Sequence, residues 1–291
     1  MIINELRIAK VAEAFKEAGG LKFAKAFEEA DPQMRVAEGL CSTAGHLTPL
    51  LLAINACVSY VLAGKGEECW SSFADFIASA GRQPSNYLEL TELVRGFVSK
   101  SKHHRLARAA KLSRLSKLTG CSALRKFESP YIEFIENPRS LLRTLAECLR
   151  SSEYAKTVVF AVKMYYYGVK ACLGVDIVLP KEIKVPVDRR VAYLAYTSGI
   201  VEVSSDDLGR EEVIRKLMAR AEVVRLAWDR VAELSSIPPL HLDAPLWVIG
   251  RYVGLGKSVE DIVDGIDKLL GGRVPENKLE LVVRELLHKL A

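Results

Sequence analysis

From residue 4 to residue 289 the apolar residues recur at three- and four-residue intervals, and the alternation of a half-buried strand is almost absent. That period admits helices and little else, so the chain is expected to be all-α. The first helix spans residues 4–18 and stops at Gly19 and Gly20; a second runs to about residue 30. Asp31 reads as an N-cap with Pro32 at the first helical position, which puts Gln33 in the first turn, aimed at a cleft. Thr48 and Pro49 open an apolar helix through Leu62, and Glu67 and Glu68 favour a new helix carrying Trp70. A turn at 84–86 precedes a helix over 87–99, and Pro130 and Pro138 mark further starts. Helices over 140–150 and 155–173 flank the tight turn 151–154, a helical hairpin. A linker with Pro180 and Pro186 leads to Asp188, the N-cap of a helix over 189–198. One long helix is predicted over 210–234, then a rigid loop SSIPPLHLD, a helix carrying Asp243 and Trp247 on one face, and two amphipathic helices over 258–270 and 276–289.

A chain of 291 residues buries a substantial core, in one large domain or two lobes. Charges or prolines interrupt every apolar run, so no membrane span is expected. The start, MIINELRIAKVAEAF, reads as an amphipathic helix instead of a signal peptide, which implies a cytoplasmic protein. Only two glutamines and five asparagines occur, and scarcity of labile amides fits a thermophilic source. Six cysteines show no CxxC and no regular spacing, so neither zinc nor an iron–sulfur cluster is expected; most read as buried small hydrophobes.

The formal net charge is +5, but its distribution says more. Between Glu92 and Glu128 there is no acidic residue, while ten lysines and arginines and the pair His103–His104 fall inside. A helix over 103–118 would turn Leu106, Leu112, Leu115 and Leu118 inward and leave Arg105, Arg108, Lys111 and Arg114 outside, placed for phosphate contact. The alternative is an ordinary solvated face.

Lys156, Phe160 and Lys163 fall on one face of the helix that follows the hairpin turn. A lysine at a helix start is disfavoured as an ammonium by the macrodipole and by partial burial, and the neutral amine is the nucleophilic form. Asp188 at its own helix start is held as a carboxylate, and its proximity would pull the lysine the other way, so the two would titrate as a pair. The residues alone leave two options open. One is a nucleophile with a carboxylate partner; the other is a snorkelling lysine and a capping aspartate.

Five stretches in order, DPQ (31–33), NACVSYVLAGKGEECW (55–70), AKTVVFAVK (155–163), PVDRRVA (186–192) and PPLHLDAPLW (238–247), resemble the motifs of the archaeal GO glycosylases. These are 8-oxoguanine DNA glycosylase/AP lyases of the helix-hairpin-helix superfamily. The resemblance implies two helical lobes with the active site in the cleft between them. It assigns Lys156 as the Schiff-base nucleophile, Asp188 as the catalytic carboxylate, and Gln33, Trp70, Phe160, Lys163, Asp243 and Trp247 to the pocket for the damaged base. The lobes are expected at 63–172 and at 1–62 with 173–291. The turn at 150–154 lacks the glycines that bind phosphate elsewhere in the superfamily, and Glu153 is ill suited to that task, which shifts backbone contact to the basic segment.

The implied chemistry is coherent. A flipped base needs aromatic surfaces in place of its lost stacking. Recognising 8-oxoguanine needs an acceptor near N7–H, which Gln33 or a backbone carbonyl supplies, while Asp243 accepts from ring N–H groups. Imine chemistry at a lysine needs no metal and no cofactor, and a monomer on damaged DNA suffices. The rivals are a non-catalytic helical nucleic-acid-binding protein and a glycosylase for another damaged purine.

Overall fold

A computed structural model of the chain describes residues 1–81, 83–128, 132–204, 208–253 and 257–290. Sixteen α-helices occur among them. They are α1 (Glu5–Glu17), α2 (Leu21–Ala30), α3 (Pro32–Ala44), α4 (Thr48–Val58), α5 (Gly66–Ser79), α6 (Tyr87–Lys100), α7 (Arg108–Thr119) and α8 (Ile132–Glu136). After them come α9 (Pro138–Leu149), α10 (Lys156–Leu173), α11 (Arg189–Thr197), α12 (Arg210–Met218), α13 (Ala221–Ser235), α14 (Pro239–Gly250), α15 (Val259–Leu270) and α16 (Glu276–Leu286). A two-residue antiparallel pair, β1 (Ile2–Ile3) with β2 (Val201–Glu202), is a small addition to an all-α fold. The helix start predicted at Pro130 lies outside the described residues.

The chain divides into two compact units: Met1–Asp31 with Lys181–Ala291, and Pro32–Pro180. The expected boundary at 62/63 is therefore displaced to 31/32. The physical reason is α4, every residue of which is buried, packed along the length of α10 with α3 beside it. The approach is close enough that a Cβ on Gly168 would sit 2.6 Å from the Pro49 Cα. Only a glycine lets the two backbones meet there. Within the 27-residue stretch Pro32–Val58 an 18-residue window has a mean hydropathy of 1.3, but a 3-10 turn at Gly45–Leu47 breaks the stretch, and 72% of that window is buried within protein. It behaves as core.

Two disulfides brace the second unit. Cys41 on α3 joins Cys172 at the end of α10, and Cys121 after α7 joins Cys148 on α9. The expectation that most cysteines are buried hydrophobes holds only for Cys57 and Cys69, which are free and buried. Spacing could not reveal the pairs, because the partners lie 131 and 27 residues apart.

The first unit has no disulfide; polar ties are set into its hydrophobic core. Arg7 of α1, nearly buried, donates from Nε to the Ser198 carbonyl at 2.8 Å and pairs with Glu285 of α16 at 2.7 Å. Glu28 of α2 and His241 of α14 meet at 2.6 Å with both side chains buried. Two predicted elements differ here. The helix over 210–234 is broken at Arg220, whose φ of −129° and ψ of 46° are non-helical, and no glycine or proline marks the break. The predicted loop 235–243 is half helix, since Pro239 sits at the first helical position of α14, where its missing N–H costs nothing. In the same helix Pro245 removes the bond that position would give to the His241 carbonyl.

Candidate active site

The nucleophile candidate sits in the second unit. Arg150 in a left-handed conformation (φ 50°) ends α9, and the backbone bonds Ser151 N–H to Ala146 O and Ala155 N–H to Ser152 O close the turn. Lys156 then begins α10, exposed to solvent. One turn further, the half-buried Phe160 meets Trp70 of α5 edge to face, with centroids 5.9 Å apart. Another turn in, Lys163 is 3% exposed and its amine lies 5.2 Å from the Tyr167 ring. The expected helix face is therefore real, and it grades from an exposed lysine through an aromatic pair to a buried lysine beside an aromatic ring. Gln33 is 6% exposed in the first turn of α3, which packs against α10. Trp70 is also packed edge-on to Phe73, so it serves core and site together. Glu153 in the turn lies 3.7 Å from the Arg139 guanidinium.

The first unit carries the acidic residues. Asp188 caps α11, its Oδ1 accepting the backbone N–H groups of Arg190 at 2.9 Å and Val191 at 3.0 Å. Trp228, fully buried on α13, donates to the Val191 carbonyl and so fixes the start of that helix. Asp243 is 4% exposed on α14, and Trp247 one turn on is half-buried. The Trp247 ring lies 4.5 Å from the Arg190 guanidinium and 5.5 Å from that of Arg251. Both arginines escaped the sequence reading, although the RR pair after Asp188 and the four-residue step from Trp247 to Arg251 were available signals.

The basic segment departs most from expectation. It begins with a 3-10 turn, Lys102–His104, whose histidines turn inward: His104 Nε2 lies 3.6 Å from Cys69 Sγ and His103 Nε2 lies 3.3 Å from Ser72 Oγ. Burial, reinforced by the charges of Lys111, His103 and Arg108, pushes His104 down to about 4, and burial pushes the Cys69 thiol up to about 12. The pair is thus a neutral imidazole beside a neutral thiol, a packing contact. Ala107 is left-handed (φ 53°), so α7 starts only at Arg108 and Leu106 is 45% exposed instead of buried.

Lys111 is a correction. It is fully buried, its amine donating to the Val61 carbonyl at 3.1 Å and lying 5.4 Å from the Tyr60 ring, and burial lowers its pKa. It cannot be an outward phosphate contact. Arg114 also turns inward, to the Thr157 hydroxyl at 2.8 Å, and Arg108 donates to the Ser101 carbonyl at 2.9 Å. Arg105 alone of the four is exposed. Among the described residues no group of three or more histidine, cysteine or acidic side chains could hold a metal ion.

A sequence model of the AGOG family, described as N-glycosylase/DNA lyase, matches residues 12–280. The chain is 32% identical over 262 residues to an N-glycosylase/DNA lyase of Pyrobaculum aerophilum, which spans 89% of this chain and 91% of that one. It is 30% identical over 292 residues to one of Aeropyrum pernix, spanning 97% and 96%. The crystal structure of the 8-oxoguanine DNA glycosylase of Pyrobaculum aerophilum complexed with 8-oxoguanosine superimposes with a TM-score of 0.72 at 29% identity, covering 92% of this chain and 97% of that one.

Proposed function

The chain belongs to the AGOG family of N-glycosylase/DNA lyases, and from that membership we propose a residue-level account of its chemistry. The protein is a bifunctional DNA glycosylase/AP lyase that removes 8-oxoguanine from DNA and then nicks the strand. Lys156 is the nucleophile. The observation that carries this assignment is an exposed lysine at the first position of α10, one turn from the Phe160–Trp70 aromatic pair. Its attack on C1′ forms a C–N bond as the glycosidic bond breaks and the base departs with the bonding electrons. Asp188 takes the amine proton and stabilises the positive charge that develops on the sugar. Opening of the sugar gives a Schiff base, which acidifies the neighbouring C2′ proton; its loss expels the 3′ phosphate and breaks the strand. Phe160, Trp70 and Trp247 supply faces for the flipped base, Gln33 and Asp243 its polar contacts, and Lys163 a cation near the rings.

Family membership disfavours the non-catalytic alternative, and the 8-oxoguanosine bound to the Pyrobaculum aerophilum glycosylase favours an oxidised purine over other damaged purines. We place the enzyme in the cytoplasm as a monomer that needs no metal. Two disulfides with so few labile amides match the intracellular proteins of hyperthermophiles. The test is a duplex with one 8-oxoguanine incubated with protein and borohydride. Wild type should give a covalent adduct that Lys156→Gln does not, and duplexes with uracil or hypoxanthine should give far less. DNA binding without any adduct from wild type would remove the assignment.

A further inference from the structure

We propose that Arg114 is a positioning residue for the nucleophile, acting through Thr157, and not a contact to the DNA backbone. The proposal rests on Lys156 being the nucleophile. Arg114 donates from one terminal nitrogen to the Thr157 hydroxyl at 2.8 Å, and Thr157 is the second residue of α10, directly after Lys156. The guanidinium carbon lies 5.9 Å from the Tyr60 ring, and the Lys111 amine lies 5.4 Å from the same ring. The Arg114 Nε is buried as well. An arginine that grips phosphate presents its fork to solvent. This one directs part of its fork and its inner nitrogen into the protein.

The helix carrying Arg114 is itself tied to its surroundings at several points. Lys111 is tied to the Val61 carbonyl, the Leu118 carbonyl accepts from the Tyr87 hydroxyl at 2.5 Å, and the Cys121–Cys148 disulfide links the end of α7 to α9, which leads into the hairpin turn. Arg114 therefore reaches the start of α10 from a fixed support. The first turn of a helix needs one, because its N–H groups have no intrahelical partner and it frays. Lys156 is in that turn, and the angle of the turn decides where its amine points. Misplacing a reacting group by about 1 Å costs on the order of 100-fold in rate. The Arg114–Thr157 bond clamps the turn, so its loss should slow attack while leaving affinity for DNA in place.

The experiment measures the single-turnover rate of borohydride-trapped adduct formation on an 8-oxoguanine duplex, and DNA affinity with its salt dependence on the same proteins. Arg114→Gln and Thr157→Val should each slow trapping by roughly 10- to 100-fold, with affinity and salt dependence unchanged. The double variant should be no slower than either single one, because both remove the same bond. Thr157→Ser should restore the rate. Arg114→Lys should not, since an ammonium keeps the charge but not the reach and planar geometry. Should Arg114→Gln fail to fold, Thr157→Val carries the test unaided. Trapping at the wild-type rate by Thr157→Val overturns the proposal, as does weaker DNA binding with a shallower salt slope in Arg114→Gln that Arg114→Lys restores. An adduct that persists in Lys156→Gln overturns the nucleophile assignment first. With Lys156→Gln silent, a failure of the clamp stands by itself.

Discussion

The two units of this molecule are stabilised by different chemistry, and the difference follows what each carries. The unit Pro32–Pro180 contains both disulfides, the buried α4 spine, the inward-turned basic segment and the nucleophile candidate Lys156. The unit built from Met1–Asp31 and Lys181–Ala291 contains neither disulfide; its hydrophobic core carries two polar ties, the part-buried Arg7–Glu285 pair and the buried Glu28–His241 contact, and its helices present Asp188 and Asp243. Covalent links act chiefly on the unfolded chain, whereas buried pairs act by the cost of leaving one partner alone. Lys156, the nucleophile of the proposed reaction, stands on the cross-linked unit, and Asp188 and Asp243 stand on the other.

Reduction should expose this contrast most strongly. Opening the 131-residue link between Cys41 and Cys172, by Cys172→Ser, should cost about 5 kcal/mol of chain entropy. Amide hydrogen exchange should show the loss confined to the second unit, with the first unchanged. Glu28→Ala should do the reverse, costing roughly 1–3 kcal/mol as the buried hydrogen bond to His241 is lost, and exchange should quicken in α2 and α14.

Acid should act on the second unit. His104 is held at about 4 against an ordinary 6.5, so between those values the unfolded chain binds a proton that the folded one refuses. Stability from this group is full above about pH 6.5 and falls as the pH drops towards 4, by about 3 kcal/mol in all. His104→Gln should flatten that part of the pH–stability curve. The smallest effect concerns DNA. Arg105→Gln should lower the salt slope of binding by about one, while Lys111→Met should leave it unchanged because that amine is sealed against Val61.

The helical fold, the hairpin before Lys156 and the cap at Asp188 were legible because each rests on local chemistry: a 3.6-residue period, a short turn, an aspartate ahead of a helix. The shared face of Lys156, Phe160 and Lys163 was legible for the same reason. The disulfides were not, since their cysteines meet only through tertiary packing. Nor was the inward turn of Lys111 and Arg114. Periodicity placed them outside with the other cations, and their partners Val61, Tyr60 and Thr157 lie far off in sequence. The break at Arg220 had no glycine or proline to announce it, but the start of α14 at Pro239 did carry a signal, a proline at a first helical position.

The assignment of Lys156 is tested most directly by locating the bond. Wild-type protein, trapped by borohydride on an 8-oxoguanine duplex, is digested with protease and nuclease and mapped by mass spectrometry. The sugar remnant should sit on Lys156 and on no other residue. A remnant on Lys163 or on any lysine or arginine of the 102–126 segment would contradict the account.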